Sequence, residues 1–249
     1  MLIGISGKIA SGKDATTKII QIITQSPNFS DEAVLSFLGR ELLNPKFTNE
    51  KYGEALKQVI CILIGCSREQ LEDLDFKNKE LKEDWWYFAT TVNHNKISYL
   101  GNEDKFTGKF PIYIPTPRRL LQLVGTECGR EILHPNVWVN ALMSKYKKKF
   151  DGYYKDSKEG ELKSRYKFPN WVISDVRFPN ELAAVKDRDG VSIRVERPVK
   201  SSHHLEAAYQ HESETALDNA SFDFTINNTG TLLDLVKEVR KILIVLKII

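Results

Sequence analysis

Leu2-Ile3-Gly4-Ile5-Ser6-Gly7-Lys8-Ile9-Ala10-Ser11-Gly12-Lys13-Asp14 joins a short apolar run to a glycine-rich loop, and Lys13 to Gln25 then repeats apolar residues at Ala15, Ile19, Ile22 and Ile23. The first pattern is a buried strand and the second a helix, so the order is strand, loop, helix. Within it, Gly7 to Lys13 fits G-x-x-x-x-G-K in the setting that motif requires. Glycines let consecutive amides turn inward as an anion nest, the helix start adds its positive end, and a lysine reaches the outer phosphates. Gly7, Ile9, Ala10, Ser11, Gly12, Lys13, Asp14 and Ala15 are therefore the expected cradle for the phosphates of a nucleotide. The position after the lysine normally offers Mg²⁺ a serine or threonine hydroxyl. Here it is Asp14, followed by Ala15, Thr16 and Thr17. The sequence leaves open whether Asp14 holds the metal directly, holds it through water, or is partly replaced by Thr16.

Outward from the loop, Ser26-Pro27 stops the helix, because a residue before proline is pushed out of the helical region. Ala33 to Leu38 reads as a strand and Gly53 to Ile64 as a helix through Leu56, Val59, Ile60 and Leu63. Ser67-Arg68-Glu69-Gln70 matches a capping box opening a short helix through Leu74. The period is lost from Lys77 to Pro115, which reads as an insertion packed on the main body. Thr116-Pro117 starts a helix whose buried face is Leu120, Leu121, Leu123 and Val124, and another helix begins near Pro135 and runs towards Tyr146. Asp151 to Lys167 is polar and reads as a solvated loop. Beyond it come a buried strand, Trp171 to Ser174, ending at Asp175; a helix, Asn180 to Arg188; a strand, Val191 to Glu196; a last strand, Phe222 to Ile226; and a closing helix, Thr231 to Lys247. Strands alternating with helices predict an α/β fold, a parallel sheet with helices on both faces and ligands at the carboxyl ends of its strands.

The 249 residues suffice for one core, and residues 1–249 read as a single domain. With 41% hydrophobic and 28% charged residues, the chain is too apolar to be disordered. Its 36 basic and 33 acidic residues leave a net charge of +3, so no broad cationic field awaits nucleic acid and any anion site must be local. Cys61, Cys66 and Cys128 are odd in number and lack C-x-x-C spacing, which argues against a disulfide framework or a zinc ribbon and suits a reducing cytoplasm. No basic leader precedes the first apolar run, and the charges within Leu232 to Ile249 exclude a membrane span. A homodimer is left open.

Asp175-Val176-Arg177 closes a buried strand, where a carboxylate can orient Mg²⁺ and a guanidinium can reach a transferring phosphoryl group; the bland alternative is an ion pair decorating a strand end. With this block in place the chain resembles the bacteriophage-type deoxynucleoside monophosphate kinases, a family of P-loop nucleoside monophosphate kinase fold. The resemblance covers Gly7 to Asp14, Arg118 to Thr126, His134 to Val139, Ser174 to Glu181, Arg194 to Pro198, His211 to Glu214 and Phe222 to Gly230. The Gly-Lys-Asp form of the loop is itself typical of that family, and the insertion at about 77–115 lies outside the matching blocks.

The resemblance implies ATP and Mg²⁺ as donor and metal, a deoxynucleoside monophosphate as acceptor, and small-molecule nucleotides as the partners. It gives Lys13, Arg177 and Arg197 the developing charge, and Asp14 and Asp175 the metal. Arg119 and Arg130 become acceptor clamps beside Arg118, with Gln122 and Thr126 as polar contacts, because a dianionic acceptor must be brought up to an anionic donor. Residues 197–215 fall where such kinases keep a lid, with His211, Ser213 and Glu214 as a helix-start or anchoring cluster. Asn227 and Asn228 fall where adenine is gripped, although a turn there needs no ligand. His203, His204 and His211 lack the cysteine or carboxylate partners that would complete a zinc site. The rival readings are a P-loop kinase for another small phosphorylated metabolite, and an ATP-binding switch module without an acceptor. The near-neutral charge counts against the second where its setting is a nucleic-acid assembly.

Overall fold

The computed structural model describes residues 1–85, 87–93, 96–99, 112–155, 161–198 and 212–249. They form two compact units, Met1–Tyr52 with Val139–Ile249, and Gly53–Trp138. The chain opens with β1 (Leu2–Ser6), α1 (Lys13–Gln25), α2 (Asp31–Phe37) and β2 (Thr48–Glu50). Next come α3 (Gly53–Ile64), α4 (Arg68–Glu72), α5 (Leu74–Asn78), β3 (Tyr87–Asn93), β4 (Lys96–Tyr99), β5 (Ile112–Tyr113) and α6 (Pro117–Gln122), which runs on as a π-helix over Leu123–Leu133. After α7 (Val137–Met143) follow β6 (Lys149–Lys155), β7 (Leu162–Lys167), β8 (Trp171–Val176), α8 (Pro179–Lys186) and β9 (Val191–Glu196). The last elements are α9 (Glu212–Thr215), β10 (Phe224–Asn227) and α10 (Leu232–Val245).

The first unit is built on a five-stranded sheet in the order β10-β9-β1-β8-β2, every neighbouring pair parallel. All five residues of β1 are buried, as a parallel strand covered on both faces must be. Ile3, Ile5, Val172, Ile193, Val195 and Ile226 pack with Ile19, Ile20 and Ile23 of α1 and Val236, Val239 and Leu243 of α10. The alternating positions Leu2, Trp171, Ile173 and Val176 pack with Val139, Leu142, Leu182 and Val185 on the opposite face. Because the strands are parallel, their carboxyl ends share one edge: Ser6 stands opposite Val176 and Arg194, and Asn227 opposite Glu196.

Two sequence expectations fail in this unit. Ala33 to Leu38 is the body of helix α2, with Ser30 Oγ accepting from Ala33 N–H at 3.2 Å and Asp31 and Glu32 in the first turn. A short apolar run has no period of its own, and the cap with its acidic first turn was the deciding signal. The supposed loop from Asp151 to Lys167 is instead largely an antiparallel hairpin of β6 and β7, with Phe150 opposite Tyr166 and Tyr154 opposite Lys163. Its aromatic residues outweigh its charges.

In the second unit Ile60, Leu71 and Leu120 form the buried core. Ser67 caps α4 in the expected reciprocal box with Gln70, and Asp73 then caps a separate α5 through Phe76 N–H at 2.7 Å. The aperiodic insertion contains the antiparallel sheet β4-β3-β5. No helix among the described residues is long and apolar enough to cross a membrane.

Leu243 is fully buried between α10, α1 and the sheet, so truncating it removes packing without touching the sheet's carboxyl edge. Leu243→Ala is expected to cost about 2–5 kcal/mol in a denaturant titration, seen as a lower midpoint at unchanged slope.

Candidate active site

The loop between β1 and α1 lies against two neighbouring strand ends. A Cβ on Gly7 would stand 2.3 Å from the Val195 carbonyl oxygen, and one on Gly12, where φ is +106°, 2.5 Å from Asn228 Nδ2. No side chain caps α1. Its first i→i−4 bond runs from Thr16 N–H to the Gly12 carbonyl, so the amides of Lys13, Asp14 and Ala15 precede the helical ladder. The buried hydroxyls of Ser11 and Thr16 have no hydrogen-bond partner among the described residues. An anion seated on this helix start would meet the amides and the dipole's positive end together. The residues present therefore fit a phosphate.

Lys13 lies back over the loop, its Nζ donating to the Gly7 and Lys8 carbonyls at 2.6 Å each. Burial and then the nearby Arg177 guanidinium push its pKa down to about 8, against the opposing pull of Glu214 and Asp14. Asp14 is exposed, with Lys51 Nζ 3.7 Å away. Asp175 Oδ1 accepts from Tyr52 N–H at 2.8 Å. Arg177 follows at the same strand end, its backbone N–H donating to Glu181 Oε2 at 2.7 Å. Its Nη1 pairs with Glu214 and lies 3.4 Å from Ser213 Oγ. The sheet's parallel register thus sets two half-buried cations, Lys13 and Arg177, beside the helix start.

A family model described as deoxynucleotide monophosphate kinase matches residues 1–239. The chain belongs to that family. Its activity is accordingly the phosphorylation of a deoxynucleoside monophosphate. A deoxynucleoside-5′-monophosphate kinase of Escherichia phage T5 is 28% identical over 237 residues, 87% of this chain and 85% of the phage protein. A protein of Acanthamoeba polyphaga mimivirus, named provisionally as a deoxynucleotide monophosphate kinase, is 32% identical over 118 residues, 47% of this chain and 55% of that protein.

Other residues singled out in the sequence fall in two places. Arg197 is exposed just past β9 and, with Lys8, Ser11, Arg194 and Asn227, lines a cleft of ≈ 420 Å³. Asn228 is buried, and its Nδ2 donates to the Ser11 carbonyl at 2.8 Å, so its side chain is a strut for the phosphate loop. Most of the stretch read as a lid, including His203, His204 and His211, lies outside the described residues. Arg119, Gln122, Thr126 and Arg130 belong to the second unit, along α6 and the π-helix, all half-buried. Each π turn closes an i→i+5 bond. Arg119 pairs there with Glu127 at 3.0 Å, and Trp138 Nε1 donates to the Gly125 carbonyl at 2.8 Å.

Two carboxylates and a buried arginine carry more of the site than the sequence reading gave them. Arg194 donates to Ser6 Oγ and to Asp218 Oδ1, each at 3.1 Å, and Asp218 also pairs with Lys8 at 2.9 Å. A charged residue inside the apolar strand VSIRVE was the visible signal for Arg194. Glu214 accepts from Ile9 N–H at 2.7 Å as well as from Arg177.

Lys13 must carry its proton to serve a phosphate. In the free enzyme that charge is lost as pH rises through about 8. kcat/KM for the donor nucleotide, which reports ionisations of the free enzyme, is expected to fall above that pH. Lys13→Arg should remove the limb, because a guanidinium stays charged. A wild-type profile flat through this range would separate Lys13's ionisation from donor capture.

Proposed function

We propose that the enzyme transfers the γ-phosphoryl group of ATP to an α-phosphate oxygen of a deoxynucleoside monophosphate, releasing ADP and the deoxynucleoside diphosphate. The observation that carries the reading is the helix start at Gly12, with its amides ahead of the helical ladder and with Lys13 and Arg177 beside it. The donor's polyphosphate lies along Gly7, Ile9, Ala10, Ser11, Gly12, Lys13, Asp14 and Ala15. Its base enters the cleft by Asn227, next to Asn228, and Arg197 approaches from the rim. An acceptor phosphate is already ionised and needs no general base, so positioning and charge stabilisation carry the catalysis.

Asp14 and Asp175 are the carboxylates that would hold Mg²⁺, a hard cation that takes oxygen ligands. Asp14 leaves its carboxylate in solvent, and Asp175 sits at the edge shared by the strand ends. When bound, the ion would neutralise donor phosphate charge. Lys13 and Arg177 supply the protein's own positive charge to the transferring group. In the second unit, Arg119 and Arg130 with Gln122 and Thr126 hold the acceptor monophosphate. The three free cysteines support a reducing, cytoplasmic setting.

A coupled ADP-release assay across the four deoxynucleoside monophosphates, dUMP and the ribose analogues tests the reaction. Turnover with at least one deoxynucleotide and ATP is expected, and ADP release indifferent to any monophosphate would point to a nucleotide switch instead. Arg177→Lys is expected to lower kcat by about 10²-fold, the scale of single charge-stabilising groups, because lysine lacks the planar fork. A fall in melting temperature with kcat intact would remove Arg177 from the chemistry.

A further inference from the structure

We infer that Glu214 is a positioning residue for phosphoryl transfer: it aligns Arg177 and the phosphate loop with each other through one buried carboxylate. The inference rests on the role of Arg177 proposed above. Glu214 is 5% exposed, and its two oxygens go to different places. Oε2 accepts from the Ile9 amide, inside the phosphate loop, and Oε1 takes Nη1 of Arg177. Ser213 Oγ, on the same four-residue helix α9, stands by the same nitrogen at 3.4 Å.

A buried carboxylate is costly unless its lone pairs are filled, and removing one partner leaves the others exposed to that cost. The two contacts therefore hold each other in place, and the loop cannot shift without dragging the arginine. Among the described residues, hydrogen bonds of the Arg177 guanidinium run through Nη1 alone. Glu214 thus grips one corner of the fork, and the remaining donors are left for phosphate oxygens. Arg177 is also fixed from its backbone, where Glu181 accepts its N–H. Backbone and guanidinium are held by two different carboxylates, so the direction of the side chain depends on Glu214.

The neighbouring carboxylate Asp218, three residues past α9, repeats the arrangement one step outward by joining Lys8 of the loop to Arg194 of β9. The segment 212–218 thereby ties the loop to both cationic strand ends. Of the two carboxylates, Glu214 is the buried one, and it is bonded to the arginine proposed to meet the transferring group.

A double-mutant cycle on kcat tests this, with Glu214→Gln, Arg177→Lys and the pair, each checked for folding by thermal melting. Glutamine keeps the shape and removes the charge. Glu214→Gln alone is expected to lower kcat about tenfold while KM for ATP changes less than about twofold, the pattern of a contact made in the transition state. In the Arg177→Lys background the same change is expected to cost little more, because residues acting as a unit are not additive. Equal losses in both backgrounds, or a loss confined to melting temperature, would overturn the positioning role and leave that of Arg177 standing. Wild-type kcat in Arg177→Lys alone would instead overturn the role of Arg177. Should the glutamine variant not fold, Glu214→Asp, which keeps the charge one methylene short, enters the same cycle with the same reading.

Discussion

The path of the phosphate loop is set by contact with the end of β9: at Gly7 the backbone passes so close to the Val195 carbonyl that no side chain fits. That approach is available only because β1 and β9 are adjacent and parallel, with Ser6 opposite Arg194. The loop is then pinned from a second side, where Asn228 at the end of β10 takes the Ser11 carbonyl and crowds Gly12. Glu214 holds the Ile9 amide from a third. A loop fixed at these points presents its helix start without waiting for a ligand to shape it, which is what electrostatic stabilisation of a transition state requires.

Charge at the site is arranged locally. The chain as a whole is close to neutral, yet Lys8, Lys13, Arg177 and Arg194 gather around one loop, countered by Glu214 and Asp218. The depressed Lys13 shows the tension: burial and a neighbouring guanidinium both disfavour its charge. Polyphosphate seated on the helix start would reverse that balance, since an opposite charge within a few ångströms favours the ionised form. Binding of a polyphosphate there and protonation of the lysine would in that sense be one equilibrium.

The glycine loop between a strand and a helix and the Asp-x-Arg triplet at a strand end were legible in the sequence because each occupies a few consecutive residues. The sheet followed from the alternation of Leu2–Ser6, Trp171–Val176 and Val191–Glu196 with helical repeats. Helix α2 was misread because six apolar or small residues carry no decisive period, and β6 and β7 were misread because lysines disguised the aromatic positions. The parts no local pattern could reveal are those made by distant segments. Glu214 and Ile9 are separated by 205 residues, and Arg194 and Ser6 by 188. Such pairs are properties of the sheet order, and sheet order is not written in any window of sequence.

The residues assigned to the acceptor stand differently. Arg119, Gln122, Thr126 and Arg130 entered through the resemblance, on a segment whose start signal and apolar positions read as an ordinary helix, and the segment is a π-helix from Leu123 onward. An α-helix would bring residues three and four apart onto one face. Gln122, Thr126 and Arg130, each four apart, would share a face in an α-helix too, so the π turn is not what brings them together. π turns are uncommon and frequent at functional sites. Here the indole of Trp138 satisfies the Gly125 carbonyl within the widened turn. Glu127 pairs with Arg119 on this segment, as Glu214 pairs with Arg177 in the first unit. A guanidinium anchored at one corner by a carboxylate is a recurrent device in this chain, and in both places it costs the protein a partly buried ion pair in return for a fork whose direction is already set.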